Sequence, residues 1–375
     1  MYRLSICRKS VDLATASQVE FGGTTMNFEE FLEKYQKVEV KEFPNSVPQG
    51  VLVSVCLQTY QHAPFIRECL DGILMQETDF DFEILLGEDD SADGTREICF
   101  EYANRYPEKI RLFLHSRRNN ISARGKSTAR FNLINNLFNA RGELIALCEG
   151  DDYWIDPQKL QKQTDFLRAN PDFAICAHRP LVLEDGAETP VILEGQRPEV
   201  SEFKDLARNG NYLPTPSVVF RNQVPEEGIP GYFLETEILD WPLHLQNSRQ
   251  GKIRYLDEAM AVYRKHPGGM WSGKGFREHA EGMLRVIGTV SSHFEKDAEP
   301  YFSEYAAKLL SQKCLIKFAA GEFDSFNTDF HRLRPKIGYL PLRTTTALVL
   351  RRLLSAAPDV AALFNRLRNT SGRPS

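Results

Sequence analysis

Between Val51 and Ala177, short apolar runs alternate with stretches of helical period, and this alternation constrains the fold more than any other feature of the chain. "VLVSVCL" (51–57) is largely apolar and β-branched, as in a strand buried on both faces. After it, Pro64 opens a segment whose Phe65, Ile66, Cys69, Leu70, Ile73 and Leu74 fall on one helical stripe. "FEILLG" (82–87), "IRLFLH" (110–115), "ELIALC" (143–148) and "FAICA" (173–177) repeat the strand pattern. Residues 95–105, 127–139 and 157–169 repeat the helical one, the last capped by Asp156. Strand alternating with helix implies an α/β fold, a mostly parallel sheet with helices on both faces.

In such sheets ligands bind beyond the carboxyl ends of the strands. Three polar clusters lie there: Gln58-Thr59-Tyr60, Glu88-Asp89-Asp90 and Glu149-Gly150-Asp151-Asp152. They should converge on one crevice. "EDDSADGT" comes close to a calcium loop, but the twelfth position, which needs a bidentate carboxylate, is Phe100. A capping turn at Asp93-Gly94, with or without a ligand, is the remaining reading. A solvated loop with a helix cap would account for Asp156. It would not account for Glu149, Asp151 and Asp152 at the mouth of an apolar strand, where like charges raise one another's pKa unless a cation joins them. A hard divalent ion that shares substrate phosphates meets that need. The chain carries neither GxxxxGK[ST] nor GxGxxG to cradle phosphate by backbone alone.

Beyond residue 178 the periodicity weakens. "PLVLEDGAETPVIL" reads as a hairpin, 201–208 and 237–250 as helices, and 252–264 as a strand. Residues 277–294, 300–320 and 344–367 each read as amphipathic helix. The implied organisation is an N-terminal extension and lead-in helix (1–50), two halves of one α/β domain (51–178 and 179–270) and a helical C-terminal region (271–375). Residues 1–25 read as poorly structured, and "MNFEEFLEKYQ" from Met26 reads as a natural start.

The net charge of -5 gives no sign of a nucleic-acid partner. Seven cysteines without a CxxC pair, several inside apolar runs, suit a reduced, cytoplasmic protein. No run approaches the roughly 18 apolar residues of a spanning helix. From His331 to the C-terminus nine Lys or Arg face one acid, Asp359. That basic amphipathic stretch suits core packing, dimerisation or peripheral contact with an anionic membrane face.

"VSVCLQTYQHAPFIRECLDGIL", "FEILLGEDDSADGT", "ARGELIALCEGDDYWIDPQKLQKQ" and "LDWPLHL" together resemble successive blocks of the family 2 glycosyltransferases. The likeness is dense over 51–177 and thin over 212–270. It implies a GT-A fold and metal-dependent inverting transfer of a sugar from a nucleotide-diphospho-sugar, UDP-linked by preference. The acceptor would be a carbohydrate or lipid-linked hydroxyl, in polysaccharide or glycoconjugate assembly. By resemblance, Thr59, Tyr60, Glu88, Asp89 and Asp151 bind the nucleotide, Tyr60 against the base face and Asp89 accepting from the base. Asp151, Asp152 and His266 would hold Mn2+ or Mg2+, with Asp152 the principal ligand.

Asp240 matches the general base, though it would also serve as a helix cap, and Trp241 would face the acceptor unless it is a core residue. Arg264, Lys265 and His266 in "YRKHPGG" could close over the diphosphate, or form a surface turn. Arg124, Lys126 and Arg130 could approach the phosphates, or line a solvated helix face. Two positions depart from the family: Gln61 stands where Asn is usual, and Asp90 where Gly is common. A sugar-1-phosphate nucleotidyltransferase is the alternative enzyme, but "QTYQHAP" lacks its glycine-rich basic loop. A glycoside hydrolase would need two carboxylates without a nucleotide site. A non-catalytic sugar-nucleotide-binding module would lack the intact acidic set.

Overall fold

The computed structural model describes residues 25–339, apart from 124–125, 185–186, 191–197, 225–227, 270–274 and 295. Eleven strands form one mixed sheet: β1 (Lys41–Glu42), β2 (Val53–Thr59), β3 (Phe82–Glu88), β4 (Ile110–Leu114), β5 (Leu144–Glu149), β6 (Tyr153–Trp154), β7 (Phe173–Glu184), β8 (Ala187–Pro190), β9 (Val200–Ser201), β10 (Val219–Arg221) and β11 (Lys252–Arg264). Along the sheet the order is β9-β11-β7-β10-β5-β2-β3-β4-β1, with β8 on β7 and β6 on β11. β5, β2, β3 and β4 pair in parallel, and the short β10 enters antiparallel between β5 and β7.

The two faces of β2 show why its sequence is apolar at almost every position. Val53, Val55 and Leu57 join one core with α2 (Ile66–Leu74), α3 (Thr95–Arg105) and α5 (Lys159–Ala169). Cys56 faces the other core with α1 (Phe28–Tyr35) and α4 (Arg130–Asn139). Successive residues of a strand point to opposite faces, so a strand covered on both sides must be apolar on both. All seven residues of β2 and of β3 are buried.

α4 also brings amides to the sheet: Asn132 donates to Gly87 O at 2.8 Å and Asn136 to Leu85 O at 3.0 Å. Gly87 makes room for this, since a Cβ there would stand 1.8 Å from Asn132 Oδ1. The expected hairpin is present, with Leu181 opposite Pro190 and Glu184 opposite Ala187.

The boundary expected at 178 falls inside β7, a single strand that pairs with β11 from Phe173 to Leu183. The two halves therefore share one sheet, and one apolar cluster runs from Phe31 to Leu309. α6 (Phe203–Asn209) and α7 (Asp240–Ser248) follow the sheet's far half. α8 (Phe276–Ser291), α9 (Glu299–Ala319) and α10 (Phe323–Leu333) form the helical region, α10 having no counterpart in the sequence reading. The stretches at 1–24 and 344–367 lie outside the described residues. Asp156 is not the cap of α5, a position held by Gln158: it accepts from Gln158 N at 2.8 Å in the turn before the helix. Among the described residues no helix is long and apolar enough to cross a membrane.

Candidate active site

The carboxyl ends of β5, β2 and β3 stand side by side, with Gln58 opposite Glu149 and Thr59 opposite Glu88. Backbone bonds continue the register past the strands. Asp89 N donates to Thr59 O at 3.1 Å and Gly150 N to Gln58 O at 2.9 Å. A side chain at Gly150 would strike Thr59 Oγ1 at 2.6 Å and His62 Nδ1 at 2.8 Å, so only glycine lets these loops meet.

At the β3 end Asp89 is 1% exposed. Its Oδ2 accepts from Arg117 at 2.9 Å and Asn120 at 3.0 Å, while Oδ1 has no partner among the described residues. Burial raises its carboxyl to about 6, against the lowering pull of Asn120 and Arg117. Arg117 also lies 3.7 Å from the centre of the Tyr60 ring, so one face of that ring is already covered.

Glu88 does not face a ligand. Its carboxylate accepts from Ser91 N at 2.7 Å and Asp90 N at 3.2 Å and pairs with Arg96, which corrects the expected contact with nucleotide. It shapes the loop instead. Asp93 takes the turn reading, accepting from Thr95 N at 3.1 Å and Ala63 N at 3.0 Å ahead of α3.

The two departures from the family pattern have a backbone explanation. Gln61 (φ 55°) and Asp90 (φ 62°) are the two non-glycine residues with positive φ among those described. Asn and Gly tolerate that conformation best. Gln61→Gly should therefore raise stability by up to about 1 kcal/mol in a denaturant titration. A loss would show that the Gln61 side chain outweighs its backbone strain.

At the β5 end carboxylates gather. Asp152 is fully buried, its Oδ1 accepting from Arg264 N at 2.9 Å and its Oδ2 without a partner among the described residues. Asp151 Oδ2 meets His266 Nε2 at 3.0 Å, and Asp151 Oδ1 is likewise unpartnered. Burial first, then Asp151, Cys148 and Glu149, raises the Asp152 carboxyl well above its usual value. Glu149 is pushed up to about 8 by its surroundings and by Asp151 and Asp240, although solvent reaches it and tempers the effect. Tyr263 on β11 is raised by burial and by Asp152, Glu149, Asp151 and Asp240 together. Asp240, the first residue of α7, lies near enough for its charge to act on Glu149 and on Tyr263. It is not the helix cap, a position held by Leu239.

Four side chains that could have faced ligands are engaged elsewhere. Trp241 is fully buried, donates to Leu206 O at 3.3 Å and packs edge-on to Phe302 and Tyr305, so it cannot offer a face to an acceptor. Arg264 is tied to Asp151 O at 2.8 Å and to Glu68, between the rings of Phe65 and Tyr153. Lys265 pairs with Glu184 at 2.9 Å. Of the basic trio, His266 is the one whose side chain meets a carboxylate of the group, that of Asp151. Arg130 is 3% exposed, a buried residue of α4 and not a solvated one.

Among the described residues no three His, Cys, Asp or Glu side chains stand ready to hold a metal. Two unpartnered carboxylate oxygens and a raised Asp152 still fit a divalent ion whose remaining ligands are water and phosphate.

Sequence reading overlooked Arg117, Asn120 and Asn211. The first two follow β4 directly, so the strand-end rule that singled out Asp89 and Asp151 extends to them. Asn211 carries no local signal.

Fold and site together define a glycosyltransferase of the GT-A type. The Glycosyl transferase family 2 model matches residues 54–266, and the chain belongs to that family. An uncharacterised protein of Mycobacterium tuberculosis is 35% identical over 278 residues, spanning 69% of this chain and 74% of its own. TuaG of Bacillus subtilis, named as a candidate teichuronic acid biosynthesis glycosyltransferase, is 26% identical over 57% of this chain and 79% of its own. The crystal structure of residues 1–349 of S. aureus TarS with UDP-GlcNAc shares the fold, with a TM-score of 0.52 and 17% identity over 77% of this chain and 82% of that one.

Proposed function

We propose that this glycosyltransferase moves a sugar from a UDP-sugar to a hydroxyl of a carbohydrate or lipid-linked acceptor, with inversion and with Mn2+ or Mg2+. Polysaccharide or glycoconjugate assembly is the setting that the relationship to TuaG suggests. The observation that carries the reading is the cluster at the carboxyl end of β5, where Asp151 Oδ1 and the buried Asp152 Oδ2 have no partner among the described residues and where the charge of Asp240, from a distant part of the chain, reaches Glu149 and Tyr263.

On this reading Asp89 Oδ1, buried and without a partner among the described residues, accepts an N–H from the base, and the face of Tyr60 away from Arg117 lies along it. Thr59, buried beneath Gly150, shapes the floor. Asp151 and Asp152 are the residues that would hold the ion, which when bound supplies positive charge to the leaving diphosphate. His266, fixed by Asp151 Oδ2, stands where it can donate to a phosphate oxygen. Asp240 takes the proton of the acceptor hydroxyl as that oxygen bonds the anomeric carbon, and the anomeric C–O bond breaks with its electron pair leaving on the diphosphate. One displacement with one base inverts the centre. Burial raises the Asp240 carboxyl and so strengthens it as a base.

Thermal unfolding with UDP-, GDP- and dTDP-sugars, each with and without Mn2+ or Mg2+, tests the donor. A UDP-sugar at 100 times its Kd should stabilise by about 2.7 kcal/mol, and only with metal. No stabilisation by any nucleotide-sugar would end this reading.

A further inference from the structure

We infer that Asn211 is the positioning residue of the catalytic base: its amide holds one oxygen of Asp240 and leaves the other to the acceptor. This rests on the assignment of Asp240 above. Asn211 Nδ2 donates to Asp240 Oδ2 at 2.7 Å, and Asn211 Oδ1 accepts from Leu213 N at 3.0 Å. The amide is therefore held at both ends, with one N–H aimed at the carboxylate. A carboxylate free to rotate would present its basic lone pairs to the acceptor for only part of the time, which lowers the rate without altering donor binding.

The C-terminal helical region braces this pair from behind. Gly210, at φ 78°, lies against Tyr305 of α9 so closely that a Cβ would come within 2.3 Å of the phenol oxygen. Lys308 of α9 donates to Arg208 O and Asn209 Oδ1, both at 3.0 Å. Trp241, next to the base, packs on Phe302 and Tyr305 of the same helix. One helix thus supports both the loop that carries Asn211 and the turn that carries Asp240. The charged or titratable groups around Asp240 are Glu149 from β5, Tyr263 from β11 and, beyond them, Asp151 and Asp152. The backbone N–H of Trp241, the side chain of Asn211 and the Asp240 backbone N–H favour its ionised form, and Asn211 is the side chain among them.

The test needs no known acceptor. The Asp240 carboxyl is titrated by 13C NMR in the full chain with 13Cγ-labelled Asp, its signal assigned by its loss in Asp240→Asn. Asn211→Ala should move the titration to higher pH, because a bond to the ionised form is gone. Asn211→Asp keeps an acceptor for Leu213 N but sets a like charge beside Asp240, and should move it further. Turnover of UDP-N-acetylglucosamine, read as UDP release, should fall about 10-fold or more in kcat with donor KM unchanged. An unmoved titration in both variants, with melting temperatures like wild type, would overturn the positioning role. Full turnover in Asp240→Asn would instead remove the base itself, a separate failure.

Discussion

Asp240→Asn should bind donor and metal as the wild type does and transfer sugar about 10²- to 10⁴-fold more slowly. The proposed donor and metal contacts lie at the ends of β2, β3 and β5, whereas Asp240 opens α7, far along the chain. An asparagine fills the same volume and can still accept from Asn211, so the loop keeps its shape. What it loses is the ability to take a proton. In the wild type, burial raises the Asp240 carboxyl, so kcat should fall on the acid side at a pH above the ordinary carboxylate range near 4. Below that limb the base is protonated and idle. Equilibrium binding of donor alongside single-turnover rates checks both halves, and wild-type turnover would remove Asp240 from the mechanism.

Asp152→Asn should do the reverse, losing metal-dependent donor binding while making the ligand-free protein more stable. Asp152 Oδ1 accepts from Arg264 N, a bond that an asparagine oxygen keeps. The buried charge, set among Asp151 and Glu149, is what disappears. Leaving such a group uncompensated costs on the order of 1–3 kcal/mol, and a melt at neutral pH without metal should show a gain of that order.

The sign follows from proton linkage. A carboxyl raised in the folded state binds its proton more tightly there than in the unfolded chain, so this group lowers stability as pH rises from the ordinary range near 4 through its raised value. The wild type should therefore gain stability from this site on mild acidification, and the variant should not. Saturating Mn2+ should close the gap by stabilising the wild type alone. A variant that melts lower than the wild type at every pH without metal would mean that Asp152 is structural first.

Much of the donor side was legible because it is local. Strand patterns ran directly into Gln58-Thr59-Tyr60, Glu88-Asp89 and Glu149-Asp152, and a parallel sheet obliges adjacent strand ends to meet. Glu88 misled because a carboxylate at a strand end can serve either a ligand or its own loop, and only the Ser91, Asp90 and Arg96 contacts distinguish the two. For Trp241 two readings stood open, acceptor face or core, and packing takes the second. An aromatic residue beside a catalytic acid suits a sugar platform, but α6 and α9 enclose this one completely.

Chain-local pattern was enough to show a sheet covered on both faces, with parallel strands at its centre and acids at their carboxyl ends, since hydrophobic period and strand direction are properties of neighbours in the chain. Long-range packing alone settles that Asn211 meets Asp240, that Arg117 pins Asp89, and that Arg264 is already committed. Those facts depend on which distant segments pack together, and the burial that follows from packing sets the charge state of each carboxyl.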